Sequence, residues 1–173
     1  IGAGIFFGHL PFVKVSGVPG TTYRIWPGAI VKRVAERLNV RIHSERFSDP
    51  AKAMQALDNA VASGRPTGML GSVFYLPYLP EAFRFHFNAH NFVAYGKEGG
   101  NYLISDPVME DVTTIGPADL VKARFAKGTP EPRGFMYYVT GTSKEINMAK
   151  AIQAGIKQSC FFYAVAAAAM VRE

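Results

Sequence analysis

Cysteine is almost absent: Cys160 is the only one in 173 residues. A single thiol excludes an internal disulfide framework and a cysteine-rich zinc site, and it suits a reducing, cytoplasmic compartment. Long apolar runs are missing too. The longest stretch, residues 160–171, is too short to cross a bilayer, so no membrane span is expected. The chain opens without a basic n-region, which predicts no signal peptide. It also opens on Ile1 rather than Met, so the natural start is expected further upstream. Dense basic runs are lacking: the charge of +6 comes from 19 basic and 13 acidic side chains, with the basic ones dispersed. Arg24, Lys32, Arg33, Arg37, Arg41 and Arg46 lie early, and Lys122, Arg124, Lys127 and Arg133 later. No helix-turn-helix, zinc-finger or RNP-like signature accompanies them, which argues against nucleic acid and leaves a general attraction to acidic partners. No cofactor is expected.

What the chain does contain is apolar residue, at 49%, enough for one folded domain with a core. The first 28 residues are rich in glycine and aromatics and read as loops with short strands at His9–Val13 and Thr22–Trp26. From Ala29 the apolar residues Ile30, Val31, Val34, Ala35 and Leu38 recur at helical spacing. Val40–His43 reads as a strand. Ser48-Asp49-Pro50 opens a second helix, with a capping side chain and a proline where a missing N–H costs nothing. That helix carries Ala53, Met54, Leu57, Ala60 and Val61 on one face, and Gly64 can close it.

Thr67–Val73 follows as a short strand, and the prolines of Tyr75-Leu-Pro77-Tyr78-Leu-Pro80 then favour an extended loop. Asn91–Tyr95 and Tyr102–Ser105 read as strands joined through Gly96-Lys-Glu-Gly-Gly100 as a hairpin. Pro117–Ala126 is a short helix and Gly134–Thr140 a strand of strong β propensity. Thr142-x-x-Glu145 is a capping box for a last helix carrying Ile146, Ala149, Ile152, Ile156, Cys160 and Tyr163 on one stripe. Helices, antiparallel strands and a closing helix in this order predict an α+β fold.

The chemistry is concentrated at His86-Phe-Asn-Ala-His90-Asn-Phe-Val-Ala-Tyr-Gly96, with Asp106-Pro107 ten residues on. His90 begins one strand and Asp106 ends its hairpin partner, so the two ends lie within reach of a hydrogen bond. An aspartate there would fix the imidazole tautomer, as the orienting member of a nucleophile–His–Asp set does. A purely structural pair closing the hairpin is the other reading. His86 and His90, four apart, would share one face of a helix and could hold a metal; yet Phe87 stands where a zinc protease needs Glu, and Asn91-Phe-Val favours strand. The aromatics Phe6, Phe7, Phe12, Tyr23, Trp26, Phe74, Tyr75 and Tyr78 are mostly expected in the core, and Tyr75 and Tyr78, on the proline-rich loop, are also candidates for lining a substrate groove.

The His90-Asn-Phe-Val-Ala-Tyr-Gly strand, the Tyr102-Leu-Ile-Ser-Asp106-Pro turn and the Tyr75-Leu-Pro-Tyr-Leu stretch resemble the N-terminal domain of butirosin biosynthesis protein H. So do the opening Ile1-Gly-Ala-Gly-Ile-Phe-Phe and the Ala62-Ser-Gly-Arg-Pro66 segment. That family looks related to papain-like cysteine peptidases of the bacteriocin-leader type. The resemblance implies a papain-like domain over residues 1–115, incomplete at its N-terminus, and the start of a helical region over residues 116–173. It implies acyl transfer from an acidic acyl carrier protein to a small amine or peptide substrate, or hydrolysis of the thioester or amide. His90 and Asp106 take the places of the family's catalytic His and Asp. The family's nucleophilic Cys, at the start of its first helix, would fall before Ile1.

Cys160, in Gln158-Ser-Cys160-Phe-Phe-Tyr-Ala-Val, would substitute only in a circularly permuted fold. The capping box at Thr142 puts it mid-helix, away from the helix N-terminus that lowers a thiol pKa, and a buried, inert thiol is the expectation. Two further readings stay open: a non-catalytic binding or scaffold module of the same fold, and a metal-dependent hydrolase using His86 and His90.

Overall fold

In a computed structural model the described residues are Val13–Lys14, Thr22–Tyr23, 29–143 and 145–170, with side chains described for 29–143 and 145–165. The chain divides into two compact units, Ile42–Thr140 and a second made of Ile1–Arg41 with Gly141–Glu173.

The first unit is built on a sheet of strands β3 (Arg41–Glu45), β4 (Thr67–Gly71), β5 (His90–Glu98), β6 (Asn101–Ser105), β7 (Thr113–Ile115) and β8 (Met136–Gly141). Their order across the sheet is β3-β8-β4-β5-β6-β7. β4 runs antiparallel to both β5 and β8, as do β5 to β6 and β6 to β7. The fold is α+β, as the sequence predicts.

Helices α2 (Pro50–Ala62) and α3 (Pro117–Arg124) pack on this sheet. α2 starts where the sequence places it: the Asp49 carboxylate accepts the Ala51 N–H at 2.8 Å and Pro50 takes the first turn. It ends at Gly64, whose φ of +71° turns the chain so that the Arg65 N–H reaches back to the Ala60 carbonyl at 3.0 Å. Its buried face is Ala53, Leu57, Ala60 and Val61. These meet Met69 of β4, Phe92 and Ala94 of β5, Tyr102 and Ile104 of β6, and Leu120 of α3 in one core. Each of these larger side chains contributes about 1.5–3 kcal/mol on burial.

The core also contains an unexpected member. Arg124, read from the sequence as one of the dispersed basic residues, is fully buried. Its Nη1 donates to the Ala53 carbonyl at 3.2 Å and its Nη2 to the Gly134 carbonyl at 2.9 Å, so the guanidinium ties the first turn of α2 to the approach to β8. Phe74, expected in the core, is instead 40% exposed.

The β5–β6 connection is tighter than the five-residue loop predicted. Gly99 and Gly100 both have positive φ, +55° and +83°, so a two-residue turn suffices and the strands extend to Glu98 and Asn101. β7 has no counterpart among the predicted strands, being only three residues long.

In the second unit, strands β1 (Val13–Lys14) and β2 (Thr22–Tyr23) pair antiparallel, within the predicted His9–Val13 and Thr22–Trp26 segments or beside them. The rest of those two segments, and the side chains of Phe6, Phe7, Phe12, Tyr23 and Trp26, lie outside the described residues. Helix α1 (Ala29–Leu38) meets helix α4 (Met148–Met170) through Arg37, which donates to Gln158 Oε1 at 2.6 Å, and through Arg33 over the Phe162 ring. The capping box at Thr142 is not used. α4 begins later, and Asn147 caps it by accepting the Lys150 N–H at 2.9 Å. Among the described residues no helix is long and apolar enough to cross a membrane.

Candidate active site

His90 and Asp106 are together. His90 Nε2 stands 2.7 Å from Asp106 Oδ2. Adjoining hairpin ends alone do not bring them onto one face; an irregularity between β5 and β6 does. From Glu98↔Asn101 to Gly96↔Leu103 the strands pair in step, but the register shifts between Gly96 and Ala94, so that Ala94 meets Ile104 and Val93 meets Ser105. Tyr95 is the extra residue of a β-bulge. Continued past Ser105, the shifted register puts Asp106 level with Phe92, one pleat repeat from His90 and on the same core-facing side. In the unshifted register Asp106 would fall level with Val93, on the opposite face. The bulge therefore sets the face on which the pair meets.

The opposite neighbour of His90 is Gly71 on β4. A Cβ there would come within 2.7 Å of the Phe92 ring, which lies 6.1 Å from the His90 ring in a near-parallel arrangement. Glycine at 71 thus keeps Phe92, and with it the imidazole plane, in place.

Asp106 is held by three donors. Oδ2 accepts from His90 Nε2–H and from the Tyr78 hydroxyl at 2.8 Å, and Oδ1 accepts the Val108 N–H at 2.9 Å. The Val108 bond is the local turn that an Asp-Pro sequence makes with the backbone two residues on. Its side chain has no exposure, against 12% for His90. Burial pushes the carboxyl pKa up, but the hydrogen bonds from His90, Val108 and Tyr78 and the His90 charge outweigh it and hold Asp106 below the usual carboxylate range. The same carboxylate, with burial, pushes the Tyr78 hydroxyl well above its ordinary value, so Tyr78 acts here as a permanent donor. With Nε2–H committed to Asp106, Nδ1 is the imidazole nitrogen with a lone pair to offer.

Tyr78 packs against the core, one of its two expected places, but its hydroxyl has a partner that its position in the chain does not reveal. Its loop is pinned by buried Leu76 and Leu79, and the hydroxyl is spent on Asp106 rather than offered to a groove. Tyr75 packs edge-on against Phe74. Replacing Tyr78 by Phe removes one donor from a buried carboxylate, and a loss of about 1–3 kcal/mol is expected at neutral pH. A carboxylate whose folded-state pKa is depressed stabilises the fold above its unfolded pKa of about 3.9, and that stabilisation is lost as pH falls through the lowered folded value. Urea unfolding across pH should therefore show Tyr78→Phe and the parent converging in acid. A gap that persists unchanged below both values would contradict the assignment.

His86 does not join His90. It lies in the loop before β5, exposed, with its ring stacked on Phe74 at 4.1 Å. No helix runs through 86–90, so the four-residue spacing puts no two imidazoles on one face. Among the described residues no group of three His, Cys, Asp or Glu side chains is disposed to hold a metal. Cys160 sits well inside α4 as predicted, away from the helix N-terminus, but exposed rather than buried. Gln158, two residues before it, has its side-chain oxygen engaged by Arg37.

Residues 1–107, which include both His90 and Asp106, match the family model of butirosin biosynthesis protein H, N-terminal. The chain belongs to this family. Residues 118–170 match a second model, a domain of unknown function (DUF4872). No curated protein matches the chain. Among solved structures, one described as a C39-like peptidase from Bacillus anthracis aligns at 15% identity and a TM-score of 0.48, over 71% of this chain and 63% of that one. The chain thus spans less than two thirds of the length of that structure.

Proposed function

We propose that the His90–Asp106 pair is the base and orienting half of a cysteine-dependent acyl-transfer or hydrolysis centre of papain-like type. The nucleophile is a cysteine of the longer protein that precedes Ile1. What carries the reading is the 2.7 Å contact from His90 Nε2 to a buried, triply hydrogen-bonded Asp106, which leaves Nδ1 to accept a proton. The thiol gives its proton to Nδ1, and its sulfur attacks the thioester carbonyl. The carbonyl–sulfur bond of the donor breaks, and the departing thiolate takes the proton back from His90. An amine, or water, then repeats the cycle on the acyl-enzyme and regenerates the thiol. A thiol nucleophile suits a cytoplasmic location, and the charge of +6 suits an acidic carrier protein as donor.

The test uses the full-length protein and a small acyl thioester. Mass spectrometry is expected to find one acyl group on a cysteine outside residues 1–173, discharged faster by an added amine than by water. An acyl group found only on Cys160, or none at all, would overturn the reading and favour a binding module that keeps the fold without the chemistry. Docking of an acidic carrier protein is expected to weaken at about 1 M ionic strength, where screening acts within about 3 Å. Affinity unchanged by salt would exclude charge as the attraction.

A further inference from the structure

We propose that a second site in the Ile42–Thr140 unit, away from His90 and Asp106 in its lining, binds a small organic phosphate. Arg46, Lys127 and Arg133 stand around a cavity of about 470 Å³ whose apolar floor includes Phe47 and Phe125. That volume falls in the range of small-molecule sites. It adjoins a second hollow of about 560 Å³ that shares Arg46, Glu131 and Arg133 and extends along the Gly128-Thr129 loop.

The charge is unbalanced. Glu131 is the one carboxylate in the lining; it stands 3.8 Å from Lys127 and accepts from Arg133 Nε–H at 3.5 Å, cancelling one of the three positive charges. Three cations against one carboxylate leave an excess suited to a phosphate's double charge. The Arg46 head group is positioned in advance: its Nη1 donates to the Pro132 carbonyl at 3.1 Å and its guanidinium lies 4.5 Å from the Phe135 ring centre. A guanidinium fixed by one N–H and one ring face keeps its remaining N–H groups for a bidentate anion. Arg133 is set by the backbone, with φ at +50°, and its carbonyl accepts the Phe47 N–H at 3.0 Å, which joins the two sides of the cavity. The nearby start of α2 is already occupied by the Asp49 carboxylate, so the attraction comes from the side chains. The floor of Phe47 and Phe125 distinguishes an organic phosphate from a bare anion.

Titration of the full-length protein with phenyl phosphate, inorganic pyrophosphate and citrate, followed by calorimetry, tests this. Saturable binding of phenyl phosphate below about 1 mM is expected, tighter than citrate. The pair Lys127→Gln and Arg133→Gln, both on exposed side chains, is expected to weaken it about tenfold or more, whereas Lys97→Gln leaves it unchanged. Unaltered unfolding midpoints would show that the variants fold. Absence of saturable binding, citrate binding as tightly as phenyl phosphate, or affinity unchanged in the double variant would overturn the site. None of these outcomes depends on acyl transfer.

Discussion

Replacing His90 by Ala is expected to slow acylation of the full-length protein by a small thioester about 10²–10⁴-fold, the usual contribution of a positioned base. Asp106 separates base strength from base position. Asp106→Ala removes the acceptor of three donors and leaves His90 Nε2–H, the Tyr78 hydroxyl and the Val108 N–H without their partner. A fall in rate approaching that of His90→Ala is expected, with about 1–3 kcal/mol of stability lost because buried donors are orphaned. Asp106→Asn offers one amide oxygen in place of two carboxylate oxygens: turned to Nε2–H and the Tyr78 hydroxyl it holds the imidazole in the same tautomer, at the cost of setting its NH2 against the Val108 N–H, so it should retain more activity than Ala. The Asn variant should also lose the acid-dependent part of the stability, since it has no carboxylate whose folded-state pKa is depressed. Single-turnover acylation rates and urea unfolding of the three variants across pH would check this. Equal rates for the Ala and Asn variants would mean that Asp106 does not position His90.

The separation between what was legible and what was not follows physical lines. The caps of α2 were legible because Asp49-Pro50 and Gly64 act over one turn, within a few residues of themselves. The pairing of His90 with Asp106 was legible for a similar reason: a glycine-rich turn between two β-rich runs leaves one antiparallel partner. The bulge at Tyr95 was not, because a register shift is decided by which residues of both strands one core takes up: Phe92 and Ala94 of β5, Tyr102 and Ile104 of β6. Tyr78 was not either. Its bond to Asp106 spans 28 residues and depends on where two buried leucines anchor a proline-rich loop. The Thr142 capping box failed because Asn147 offers the same acceptor closer to the continuous helix. Competition between caps is won by packing downstream, which local sequence does not encode.

Arg124→Ala is expected to be the most damaging single change to the fold, costing about 3–5 kcal/mol in urea unfolding. The sequence gives no warning, since an arginine near the end of a short helix reads as a favourable charge at its C-terminus. Here it is the largest fully buried side chain. Burial lowers its pKa to about 10 from 12.5, opposed by the nearby Tyr102. A cationic group whose folded-state pKa lies below its unfolded one holds its proton less tightly in the folded chain, so its charge is a constant cost at neutral pH, relieved only as pH rises through about 10. The residue is nonetheless favourable in place, because the fork satisfies the carbonyls of Ala53 and Gly134 and its stem fills the space between α2 and β8. Ala leaves both a void and two carbonyls without these donors. Arg124→Met fills the void and removes the desolvated charge, so its cost should fall to about 1–3 kcal/mol, the share due to the carbonyls. Met as damaging as Ala would mean that the hydrogen bonds, rather than the packing, dominate. A loss below about 1 kcal/mol for Ala would show that the guanidinium's own desolvation nearly cancels everything it ties together.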